Sequence, residues 1–194
     1  MPFGRMGGGM PFGGGMGRGR RARPAPRKPP TRIDAIDNGT AVLVKGLKSA
    51  AEHNGKGGII RSYDVSKSRY VVELKGGPTL RLAKKNVQQQ VHDVKIRGIQ
   101  SKEELNGQTC IIINYDETKD RYSVKLTAGK APMRLKHENV VLPKGTCVRL
   151  RNLSSAKWNG TYGKIVKFDD ESGRYDVKCS PTQIIRLKPE NVLA

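Results

Sequence analysis

The chain has 194 residues, and its 37 Lys and Arg against 17 Asp and Glu give a net charge of +20. No run approaches the ~20 apolar residues that a membrane-spanning helix needs. Three cysteines, Cys110, Cys147 and Cys179, lack any C-x-x-C spacing, which argues against a disulfide framework or a zinc site. Such a positive excess attracts polyanions: nucleic acid first, then anionic membranes and acidic proteins.

Residues 1–17 duplicate a Met-Pro-Phe-Gly unit and are rich in glycine. Glycine at this density cannot repay its ordering entropy, so disorder in the free chain is expected. The sequence then switches to Arg18, Arg20, Arg21, Arg23, Arg27, Lys28 and Arg32 among four prolines, which stiffen it toward an extended form. The acid-poor start shares two traits with an organellar transit peptide, but it is rich in glycine and lacks serine. Residues 1–38 therefore read as an arm. It resembles the tails of ribosomal and other RNA-packaging proteins, which implies an arm laid along phosphates; a solubilising tail is the plain alternative. Pro26-Arg27-Lys28-Pro29 also fits the Pro-x-x-Pro recognition pattern.

The rest of the chain repeats. Asn54-Gly55, Asn106-Gly107 and Asn159-Gly160 recur at steps of 52 and 53 residues, as do Arg69-Tyr70, Arg121-Tyr122 and Arg174-Tyr175. A fixed period of this kind sets the architecture. It divides the chain into copies at 39–90, 91–143 and 144–194. The copies carry ten basic and three acidic residues, then nine and seven, then ten and five.

Each copy reads as five short strands. The first alternates through Val42/Val44, Val94/Ile96 and Val148/Leu150. A loop ending in Asn-Gly, suited to a tight turn, leads to the second. There Ile60, Ile112 and Ile165 precede Tyr63, Tyr115 and Phe168 by three residues, so both can face the core only across a bulge. The third strand alternates Tyr70/Val72/Leu74, Tyr122/Val124/Leu126 and Tyr175/Val177/Cys179. The fourth places Arg81, Arg134 and Arg186 outward between apolar neighbours, and a brief last strand starts at Val87, Val140 or Val192. Short strands with regular turn signals and no helical periodicity indicate an all-β barrel or sandwich.

A unit of about fifty residues with five strands, opening Val-x-Val-x-Gly before a Gly-rich turn and Ile-Ile, resembles the KOW and Tudor branches of the SH3-like small barrels. The resemblance covers residues 39–194 and implies an all-β fold of three tandem five-stranded SH3-like barrels. KOW-type barrels commonly bind RNA or ribosomal surfaces, and Tudor-type barrels bind methylated side chains. Gly46 and Gly98 match the KOW glycine, whereas the third copy has Asn152.

Catalysis finds little support. His53, His92 and His137 do not recur at matching places, and no nucleophile–base pair or phosphate-binding Gly-Lys-Ser/Thr loop occurs. No enzyme activity, cofactor, metal or small-molecule substrate is expected. An aromatic cage for a methylated cation has one candidate set, Trp158, Tyr162, Phe168 and Tyr175; the plainer reading puts Trp158 over the barrel edge. Arg69, Arg121 and Arg174 are expected to pair with the turn aspartates Asp64, Asp116 and Asp169. Arg81 and Arg186, with no recurrent acid nearby, are expected to meet phosphate. Lys45, Lys48, Lys56, Arg61, Lys84 and Lys85 enrich the first copy, and Arg149, Arg151, Lys157, Lys164 and Lys167 the third.

The expected function is binding of RNA, ribosomal or otherwise structured, as part of a ribosome or another ribonucleoprotein, inside the cell. Other proteins of that particle are further expected partners, and few aromatics remain for base stacking. The short connections between copies predict a semi-rigid strip. The alternative is a protein-interaction scaffold, favoured by the acidic Glu103, Glu104, Glu117 and Asp120 of the second copy.

Overall fold

The computed structural model describes residues 32–127, 129 and 131–194. The expectations for the glycine-rich start, and for Arg18, Arg20, Arg21, Arg23, Arg27 and Lys28, lie outside these residues.

The chain is all-β, with three five-stranded antiparallel sheets. The first has β1 (Ala41–Val44), β2 (Gly57–Asp64), β3 (Arg69–Leu74), β4 (Thr79–Ala83) and β5 (Val87–Gln89). The second has β6 (Val91–Ile96), β7 (Thr109–Asp116), β8 (Arg121–Leu126), β9 (Met133–Leu135) and β10 (Val140–Val141). The third has β11 (Cys147–Leu150), β12 (Tyr162–Asp169), β13 (Arg174–Lys178), β14 (Ile184–Leu187) and β15 (Val192–Leu193). In each, four strands run as a meander and the fifth returns to pair with the first, as in the order β4-β3-β2-β1-β5. The ladders stay open, because the fourth and fifth strands lie at opposite ends of the order. Single 3₁₀ turns are the only helical pieces among the described residues.

The spacing of three between core residues on the second strand is met by a bulge in every copy. Ile60 faces Val72 but Ser62 faces Val71, leaving Arg61 as the extra residue; Ile113 and Val166 hold the same place. An extra residue bends the strand and restores the inward face beyond it. Tyr115 is accordingly buried and Tyr63 and Phe168 half-buried.

Two asparagines per copy hold the loops. The side chain of Asn54 accepts from Leu47 N and donates to Leu47 O, both at 2.9 Å. Asn106 does the same to Ile99, and Asn159 to Leu153. This asparagine is itself extended, and the glycine after it takes the positive φ, +80° at both Gly55 and Gly160. The motif is thus a side-chain clamp on the preceding loop as well as a turn. The second asparagine precedes the last strand. Asn86, Asn139 and Asn191 each donate to two successive carbonyls after the first strand, at 2.9–3.1 Å. Those carbonyls flank a left-handed residue, Gly46 (φ +64°), Gly98 (+61°) or Asn152 (+54°). Asparagine tolerates this region better than other residues with a Cβ, so Asn152 substitutes for glycine without altering the backbone.

The copies form one compact unit, Thr31–Ala194. The second and third share a single apolar core, while the first has its own around Val42, Ile60, Val72 and Leu82. Copies two and three dock reciprocally. The Tyr175 hydroxyl accepts from Leu142 N (2.9 Å) and donates to Val140 O (3.0 Å). Its counterpart Tyr122 accepts from Ala194 N (3.1 Å) and approaches Val192 O (3.5 Å). Arg97 lies 4.9 Å from the Phe168 ring, and its counterpart Arg151 lies 5.6 Å from the matching Tyr115 ring. When each side offers the same patch to the other, the contact is isologous, as in a two-fold dimer.

The described end of the arm takes the partner's place on the first copy. Ile36 N donates to Tyr70 Oη (2.9 Å), Arg32 lies 5.6 Å from the Tyr63 ring, and Ala35 is only 2% exposed. Residues 33–38, grouped with the arm by sequence, therefore belong structurally to the first sheet. The first copy also touches the third: Lys164 meets Asp37 at 2.5 Å, and Gln88 Nε2 donates to Ala194 O at 3.1 Å. These contacts between copies one and three make the unit a cluster and not the expected strip.

Candidate nucleic-acid interface

Fourteen of the basic residues singled out by sequence lie among the described residues, and they separate into two groups. Seven are committed to ion pairs. Arg32 pairs with Asp34 at 3.0 Å, Arg61 with Glu73 at 2.6 Å, and Lys84 with Asp34 at 3.3 Å. Lys167 reaches Asp176 at 3.6 Å, and Arg186 holds Asp176 at 3.0 Å and Asp169 at 3.5 Å. Arg186 therefore has acids beside it after all; the register that sets Arg186 opposite Asp176 on the next strand supplies one. Lys164, expected on a binding face, is 7% exposed and lies in the seam between copies one and three.

Arg151 is the centre of a network that sequence did not anticipate. Its Nη2 donates to Asp120 Oδ1 (2.7 Å), its Nη1 to the Tyr115 hydroxyl (2.7 Å), and its Nε to Glu190 O (2.9 Å). Tyr115 donates in turn to Asp120, and His137 Nε2 stands 3.0 Å from the same carboxylate. The Tyr115 hydroxyl first, then the Arg151 guanidinium, hold the Asp120 carboxyl well below the usual range. Burial pushes His137 down, toward the neutral ring. This cluster joins copies two and three, and Arg151 spends its donors inside it on Asp120, Tyr115 and the Glu190 carbonyl. One signal could have found it: a base precedes the left-handed residue in each copy, as Lys45, Arg97 and Arg151.

The turn aspartates do not bind the arginines that follow them. Asp64 accepts from Ser66 Oγ (2.7 Å) and Lys67 N (3.1 Å), and Asp116 from Thr118 N and Lys119 N (both 3.1 Å). A short carboxylate at a turn satisfies its own loop's N–H groups first. Arg69 instead donates to Arg81 O (3.2 Å), and Arg121 to Asp120 O (3.2 Å).

The second group, Lys45, Lys48, Lys56, Arg81, Lys85, Arg149 and Lys157, has no ion pair among the described residues. The structure brings three of these together. Lys45 and Lys85 of copy one and Arg149 of copy three line a cleft of about 210 Å³, with Lys84, Tyr162 and Glu117. Lys45 Nζ donates to Gln88 Oε1 at 2.8 Å. Burial lowers the Lys45 pKa; Glu117 opposes this and Arg149 adds to it. An anion in the cleft would offset both the cost of burying the Lys45 charge and its repulsion from Arg149. Lys84 Nζ stands 5.1 Å from the Tyr63 ring and 4.8 Å from the Tyr162 ring. Lys48, Lys56, Arg81 and Lys157 lie outside the cleft lining.

The aromatic cage does not assemble. Tyr162 and Phe168 lie on β12 six residues apart, roughly 20 Å along a strand. Tyr175 is 1% exposed with its hydroxyl bonded, and the Phe168 ring carries Arg97. Trp158 packs at the margin of the shared core, with Lys157 Nζ 5.2 Å from its ring.

Cys110 and Cys147 are buried and Cys179 half-buried, all as free thiols. Among the described residues no cluster of His, Cys, Asp or Glu could hold a metal ion, and no helix is long and apolar enough to cross a membrane. No protein-family model matches the chain, and a search of curated proteins finds no significant relative.

Proposed function

We propose that the chain is a non-enzymatic RNA-binding protein, a component or accessory of a ribosome or other ribonucleoprotein. Its copies act as SH3-like units of the KOW and Tudor kind, gripping the phosphate backbone with little preference for base sequence. The observation that carries this reading is the convergence of Lys45, Lys84 and Lys85 of one copy with Arg149 of another around a single cleft. Cations that stay together without full neutralisation favour a ligand that brings the missing charge. The arginine-rich arm would extend the contact along the strand.

The test is electrophoretic binding of a structured RNA across a salt series, for the full chain, for a form lacking residues 1–31, and for K85Q/R149Q. Truncation at 31 spares residues 33–38, which pack against the core of the first copy. With about six phosphates contacted, log affinity is expected to fall against log salt with a slope of roughly −4 for single strands. Both altered forms should show weaker binding and a shallower slope. Affinity that hardly responds to salt would refute the reading.

One observation favours a protein partner instead: Glu117 lines the same cleft and would repel a phosphate. Affinity capture after nuclease treatment separates the two, since partners that survive nuclease support a scaffold.

A further inference from the structure

The reciprocal docking of copies two and three leaves a second, larger cleft. It has a volume of about 560 Å³, inside the ~300–1,000 Å³ range of ligand pockets. Its lining is paired across the pseudo-two-fold. Arg121 and its counterpart Arg174, at the start of the third strands, both line it, as do Lys136 and Lys188, each just before one of the 3₁₀ turns His137–Asn139 and Pro189–Asn191, which pack together. Arg97 completes the basic set.

The acids of the cleft do not neutralise it. Asp120 is taken by Arg151 at 2.7 Å. Among the described residues Glu138 and Glu190 each pair only with the lysine two residues before, at 3.3 and 3.7 Å, and all four side chains are more than half exposed. Exposed pairs of this kind contribute about 0–1 kcal/mol and exchange readily. Arg174 has no ion pair or hydrogen bond from its side chain among the described residues, and Arg121 bonds only backbone carbonyls. Arg97 Nη1, shielded from solvent, has no hydrogen-bond acceptor among the described residues; Asp170 stands 3.7 Å away. His137, 6% exposed, also lines the cleft, and its Nδ1 has no partner among the described residues.

We propose that this cleft is a phosphate-binding site that seats two phosphate groups, one against Arg121 and Lys136 and the other against Arg174 and Lys188. The planar guanidinium can grip phosphate oxygens in pairs, while each lysine supplies a mobile point charge. The lining is charged on both sides, which excludes an apolar ligand and suits a ligand with repeated phosphates. Two sources share that chemistry: neighbouring phosphodiesters of an RNA strand, or a free oligophosphate. Only the RNA source rests on the function proposed above.

The experiment is calorimetric titration of the full chain with inorganic tripolyphosphate, alongside electrophoretic binding of a short RNA. The variants are R121Q/R174Q and K136Q/K188Q, with K67Q/K75Q as a control that removes equal charge from exposed positions elsewhere. Tripolyphosphate is expected to bind the wild type. Each cleft variant should weaken it at least tenfold, and the control by less than twofold. Should R121Q/R174Q fail to fold by circular dichroism, K136Q/K188Q, whose side chains are more than half exposed, decides. If RNA binding falls in parallel, the cleft belongs to the RNA interface; if only tripolyphosphate binding falls, a free oligophosphate is the ligand. Both results support the site. Tripolyphosphate binding without any RNA binding supports the site and refutes the RNA reading. No tripolyphosphate binding, or equal losses in the cleft variants and the control, overturns the site even where RNA still binds.

Discussion

Tyr175→Phe removes one oxygen from the seam between copies two and three and leaves the ring in place. The hydroxyl is buried, which pushes its pKa up to about 12, and it satisfies the N–H of Leu142 and the carbonyl of Val140 together. In the unfolded chain both groups are bonded to water. In the folded variant both are left buried without a partner, at about 1–3 kcal/mol for each group. Partial relaxation brings the expected total to about 3 kcal/mol. For a chain of this size each kcal/mol moves Tm by ~2–4 °C, so a fall of roughly 6–12 °C is expected. Tyr122→Phe is the internal control. Its hydroxyl makes one good bond, from Ala194 N at 3.1 Å, and a marginal one at 3.5 Å. It should cost about 1–2 kcal/mol. Thermal and urea denaturation followed by circular dichroism would measure both. A Tyr175→Phe variant within 0.5 kcal/mol of wild type, or one less destabilised than Tyr122→Phe, would refute the account of the seam.

Asp120→Asn tests the Arg151 network through pH. The carboxyl's folded pKa lies below its unfolded value near 3.9, so its contribution is fully present above that value and is lost as pH falls through the folded one. The variant should lose about 1 kcal/mol at pH 7, the small figure reflecting a carboxylate that is 53% exposed. The gap to wild type should close as pH falls below about 4; a gap independent of pH would count against the network. Thiol labelling tests the core. Burial raises all three thiols, Cys110 to about 11 and Cys147 to about 12. Since the thiolate is the reactive form, iodoacetamide at pH 7.5 should label half-buried Cys179 first, and the other two only after unfolding. Rapid native labelling of Cys147 would contradict its place in the core.

Much of each sheet was legible because short-range rules dictate it. The alternation of Tyr70, Val72 and Leu74 placed an inward face, and the spacing of three from Ile60 to Tyr63 required the bulge that the register shows. The Asn-Gly turn was legible; the side-chain clamp of Asn54 on Leu47 was not, because its partner lies seven residues away in a loop with no pattern of its own. The basic face was half legible. Sequence counts charges, but it does not say which carboxylate stands across the next strand, as Asp176 does for Arg186, or which base is drawn into a seam, as Lys164 is.

Sequence alone determined the all-β class, the three-fold recurrence and the sign of the charge, since strand periodicity and composition are local properties of the chain. Tertiary structure alone decided that copies two and three share one core, that residues 33–38 cap the first sheet, and which cations stay unpaired. The physical reason is range: alternation acts between neighbours, whereas the tyrosine, arginine and lysine contacts that join the copies link residues some 30 to 130 positions apart.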